Sequence, residues 1–72
     1  MSTTLAEIAR ETQAHGTRRR CILLEGLGNG RTERAALLYG VRNGHVVLEQ
    51  GTTRDMVWVP LADAEMIGAE FA

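Results

Sequence analysis

The dipeptide Asn43-Gly44 constrains this chain more than any other feature. Both residues tolerate the positive φ angles of a two-residue type I′ turn, and apolar runs flank them on either side. Residues 35–50 therefore predict a β-hairpin. Unbroken alternation from that turn pairs Arg42 with His45, Val41 with Val46, Tyr39 with Leu48 and Leu37 with Gln50. Leu37, Tyr39, Val41, Val46 and Leu48 then share one face, which is the expected core face. Leu38, Gly40, Val47 and Glu49 take the other.

A helix is expected before the hairpin, over residues 4–15. Thr4-Leu5-Ala6-Glu7 matches a capping box, with Thr4 as N-cap (Thr3 is the neighbouring option) and Glu7 three residues on. Leu5, Ile8, Ala9 and Thr12 follow at helical spacing. Glu7, Arg10, Glu11 and Gln13 are expected to face away. Gly16 can end the helix in the left-handed conformation. About three turns of helix are marginal alone, so this one must dock, across one open end of the β-structure.

The remaining strands follow from apolar runs between turn residues. Arg18-Arg19-Arg20 leads into Cys21–Leu27, a first strand buried on both faces in its middle. Gly28-Asn29-Gly30 and Gly51-Thr52-Thr53 are expected turns. Arg54–Val59 is the fourth strand, which Pro60 ends because it has no N–H to donate. Leu61–Ala64 fits one short turn. Glu65–Phe71 alternates as a fifth strand, and a terminal helix from Ala62 onward is the competing reading. The expected fold is mainly β (α+β). It is a single domain over 1–72, with a short N-terminal helix followed by a five-stranded antiparallel meander, over 18–71, curled into a small SH3-like barrel.

Seventy-two residues bury only roughly 60% of the unfolded surface, so oligomerisation is an expected source of stability. The single cysteine, Cys21, excludes an intrachain disulfide, and its apolar surroundings predict a buried, inert thiol. The amino terminus has no basic, apolar leader, and no apolar run nears the roughly 18 residues of a membrane span. Together these predict a cytoplasmic protein. The net charge is −1, which argues against a dedicated nonspecific DNA binder. All eight basic residues are arginine, so Schiff-base chemistry and a P-loop lysine are excluded.

Catalysis finds no support. Ser2 is the only serine, and His15 and His45 have no acid partner at a telling spacing. Cys21, His15 and His45 do not make a metal set, and no cofactor is expected. Gly26-Leu27-Gly28-Asn29-Gly30 has the wrong spacing for a dinucleotide fingerprint and reads as a turn.

Leu38-Tyr39-Gly40-Val41 and His45-Val46-Val47-Leu48-Glu49 carry a resemblance. The apolar–Gly–apolar bend, the short loop and the apolar strand ending in an acid resemble the Sm-like (LSm and Hfq-type) family. So does the order of one helix and five strands. The resemblance implies a small barrel, a possible ring of subunits and RNA as ligand. The family's uracil-holding Asp and Asn are replaced here by Arg42, Asn43 and His45. Its Arg-Gly or Lys-His pair between the last strands is replaced by Trp58-Val59-Pro60.

The candidate nucleic-acid contacts are Arg18 and Arg20, which alternation puts on one face opposite Arg19, and Arg42 and His45 beside the hairpin turn. A solvated strand lead-in and a polar pair beside a turn are the plain alternatives. If Val57 and Val59 face the core, Met56 and Trp58 face out, which marks an interface. Trp58 covering the core, or stacking on a base, are the other options. Two functions follow. One is a non-enzymatic, oligomeric Sm-like module binding RNA or a nucleotide through arginines. The other is a small protein-binding regulator, an inhibitor or adaptor, docking through an exposed strand and Trp58.

Overall fold

The structure, a computed structural model, describes residues 3–25, 32–50 and 54–72. The expected turns at 28–30 and 51–53, and the glycine run at 26–30, lie outside the described residues. Helix α1 spans Leu5–His15. Thr4 is its N-cap: the Glu7 N–H donates to Thr4 Oγ1 at 3.3 Å, and the Thr4 hydroxyl donates to Glu7 Oε1 at 3.4 Å. At the other end Gly16 takes φ 72°, and its N–H reaches the carbonyls of Thr12 and Gln13. Leu5, Ala6, Ile8, Ala9 and Thr12 are buried. Thr12 enters the core without an orphan hydroxyl, because Oγ1 donates to the Ile8 carbonyl at 2.8 Å.

Five strands follow: β1 (Arg19–Glu25), β2 (Thr32–Arg42), β3 (His45–Gln50), β4 (Asp55–Pro60) and β5 (Gly68–Phe71). They form one antiparallel sheet in the order β4-β3-β2-β1-β5. A one-turn helix, α2 (Leu61–Ala64), joins β4 to β5. The competing terminal helix stops there: the N–H groups of Glu65 and Met66 fold back on Leu61 and Asp63, and the chain then enters β5. The fold is a small barrel-like α+β domain, as expected.

The helix crosses the curled sheet and its start is tied to β5. Leu5 N–H donates to Ile67 O at 2.8 Å, Ala69 N–H donates to Thr3 O at 2.9 Å, and Thr4 bridges Gly68. The core lies between helix and sheet. Leu5, Ala6, Ile8 and Ala9 meet Cys21, Leu23, Ala36, Leu38, Val46, Leu48 and Ala69, with Ala64 closing one end. Among the described residues no helix is long and apolar enough to cross a membrane.

The hairpin forms at Asn43-Gly44, with φ 50° and 72° at its two central residues. Arg42–His45, Val41–Val46 and Gly40–Val47 pair as the turn dictates. Beyond Gly40 the register shifts, and Leu38, not Tyr39, stands opposite Leu48; Glu49 and not Gln50 faces Leu37. The expected core face is corrected accordingly. Leu38 is fully buried, whereas Leu37 and Tyr39 are half-buried on the outer face. A bulge at Tyr39-Gly40 produces the change. Its physical reason is the choice of side chain to bury. Leu38 carries no polar atom, and a fully buried leucine contributes about 1.5–3 kcal/mol. Tyr39 would take a hydroxyl inside; on the outer face that hydroxyl donates to Glu49 Oε1 at 3.4 Å.

Candidate functional site

Alternation and register place the candidate residues on the outer face of the sheet, away from α1. Cys21 and Leu23 point into the core, so Arg20 and Ile22 point out. Val46 and Leu48 point in, so His45, Val47 and Glu49 point out. Val57 and Val59 pack against the core, so Met56 and Trp58 point out, and each is about half exposed (49% and 50%).

The pairings arrange that face in rows across the strands. Arg20, Leu37, Glu49 and Met56 make one row; Val47 and Trp58 the next; Arg42, His45 and Pro60 the third. An apolar strip thus runs between the arginines at the β1 side and Arg42 at the hairpin end. Beside it Arg20, Ile22, Ala35, Leu37 and Glu49 line an open concavity of about 510 Å³.

At the hairpin end His45 and Trp58 meet edge to face, with ring centroids 6.2 Å apart at 66°. His45 Nδ1 lies 2.7 Å from the Asn43 carbonyl oxygen. A carbonyl only accepts, so Nδ1 carries the proton in this contact, and Nε2 is the acceptor of the neutral ring. Arg42 is exposed and pairs with His45 in register.

The arginine run divides. The Arg18 guanidinium lies 5.6 Å from the centre of the Tyr39 ring, and that of Arg19 lies 3.8 Å from the Phe71 ring. Arg19 therefore covers the inner face at β5, while Arg18 and Arg20 serve the outer one. The sequence reading missed both ring contacts and the His45–Trp58 contact. No spacing rule carries them, because each joins strands whose relative register depends on a turn or bulge.

Cys21 is buried and unbonded, and desolvation pushes its thiol up to about 11. A neutral thiol there is a poor nucleophile. Among the described residues no three His, Cys, Asp or Glu side chains gather as a metal set. Gln13, expected to face solvent, instead reaches β2: its Oε1 accepts the Val41 N–H at 3.1 Å.

Compared with known protein families, with curated proteins and with solved structures, the chain matches none of them.

Proposed function

We propose that this protein is a non-enzymatic, self-associating module that takes single-stranded RNA or a nucleotide on the outer face of its sheet. One observation carries this reading. The four candidate contacts, Arg18, Arg20, Arg42 and His45, lie around one face that also presents Trp58 half exposed. A base stacks on the indole or imidazole, and the guanidinium forks take phosphates. The field is local, so a net charge of −1 does not oppose it. The helix-then-strands order and the bend at Gly40 support reading the chain as Sm-like. A buried lone cysteine suits a reducing cytoplasm.

Trp58 is the only tryptophan, so its fluorescence reports the site directly. Titration with a mixed single-stranded RNA pool is expected to quench it, with affinity falling steeply between about 50 and 200 mM salt. Arg20→Ala with Arg42→Ala is expected to abolish the change. No quenching and no retention at low salt would reject the proposal.

The exposed Met56–Trp58 pair on an edge strand favours a second reading, a protein-binding regulator. Docking of that kind tolerates salt and fails on Trp58→Ala.

A further inference from the structure

The two edges of this sheet are unequal. On the β5 side the outward groups begin with the Ile67 carbonyl and the Ala69 N–H, and both are taken by the start of α1 and the residues just before it, through Leu5 and Thr3. On β4 nothing among the described residues pairs with the outer side. Leu61 N–H donates inward to the Gly44 carbonyl at 2.9 Å. Backbone direction alternates, so Val59, Val57 and Asp55 also bond inward to β3, while Pro60, Trp58 and Met56 point outward. The position of Pro60 agrees, since a missing N–H costs nothing on an open side. The unpaired N–H and C=O groups of Met56 and Trp58 are thus spaced as a hydrogen-bonding edge. Their half-exposed side chains share the outer face beside it.

We infer that this edge binds the β4 edge of a second copy of the chain, antiparallel, with Val57 on the two-fold axis. In that register Met56 of one copy faces Trp58 of the other, twice. The two pairs form four backbone hydrogen bonds and use every outward group of both residues. Each Met56 thioether comes beside a Trp58 indole, a favourable sulfur–aromatic pair. Charge agrees at the ends: Arg54 comes opposite Pro60 of the second copy, where its α2 begins and carries Asp63. The surface is self-complementary, as a two-fold contact requires. It also joins the outer faces, so the two Trp58 rings lie on one continuous sheet between two Arg42–His45 pairs. The inference rests on the self-association proposed above and names its interface.

Sedimentation equilibrium over a concentration series tests it, beside disulfide trapping. The wild-type chain is expected to move reversibly from one to two chain masses. Met56→Pro removes an outward N–H and no ladder bond, and is expected to stay monomeric with an unchanged circular dichroism spectrum; Met56→Lys serves if the proline variant does not fold. Val57→Cys is expected to oxidise to a covalent dimer, because residues across the axis come about 4.5 Å apart at Cα, within disulfide reach. Val59→Cys, which faces Asp55 of the second copy, is expected not to. Native Cys21 is buried and does not compete. A wild-type monomer at every concentration would overturn both the interface and the self-association it rests on. An oligomer of six or seven chains, or one whose Val57→Cys variant does not cross-link, would overturn this interface alone.

Discussion

The Gln13 side chain occupies the space that a Cβ on Gly40 would need, and its Oε1 accepts the N–H of Val41. Helix α1 and the bulge in β2 are therefore joined at a position that favours glycine. Gly40 also takes φ 141°, a backbone conformation that side chains disfavour. Gly40→Ala is expected to destabilise the fold by about 1–3 kcal/mol. Gln13→Ala should cost about 1 kcal/mol, the worth of one hydrogen bond. The double variant should remain as weak as Gly40→Ala, since clearing the space leaves the φ strain. Urea midpoints of the three variants test this.

The bulge makes a second expectation. Leu38→Ala empties a fully buried site and should cost about 2–5 kcal/mol. Leu37→Ala, on the outer face, should cost well under half as much. Equal losses in chemical denaturation would restore the unbulged register.

Thr4→Ala removes the N-cap acceptor and should cost about 1 kcal/mol. Thr3→Ala should be close to neutral, because Thr3 contributes its backbone carbonyl to Ala69. Thermal melts of the two single variants separate the adjacent candidates for the cap.

The Cys21 thiol sits near 11 when folded against an ordinary value of 9.0. Above about pH 9 the unfolded chain gives up this proton and the folded one keeps it, so unfolding is favoured as pH rises. This contribution to stability is intact below about pH 9 and is lost progressively as pH rises towards 11. Cys21→Ala should flatten the decline of the urea midpoint over that window. Thiol labelling at pH 8 should proceed only at the rate of unfolding.

Trp58→Ala exposes no core of the single chain and, at concentrations too low for self-association, should leave the melting temperature nearly unchanged. If a base stacks on the indole, RNA affinity should fall by about 1–3 kcal/mol, or roughly 5- to 150-fold. An unchanged affinity in filter binding would move the site away from Trp58.

The elements governed by neighbours in sequence were legible from the residues alone. Thr4, Glu7 and Gly16 delimit α1, Asn43-Gly44 sets the hairpin turn and its first three pairs, and Pro60 closes β4. Each depends on contacts within a few residues, so local φ preferences and periodicity suffice. The outward direction of Met56 and Trp58 followed from strand alternation in the same way. What lay beyond reach depends on partners far along the chain. At the bulge Gly40 meets an amide from α1, 27 residues earlier, and that one inserted residue exchanges Leu38 for Tyr39 in the core. Arg18 on Tyr39, Arg19 on Phe71 and His45 on Trp58 likewise join separate strands. Periodicity says which side of its own strand a residue occupies; only packing of helix against sheet, which sets curvature and register together, decides what it meets there.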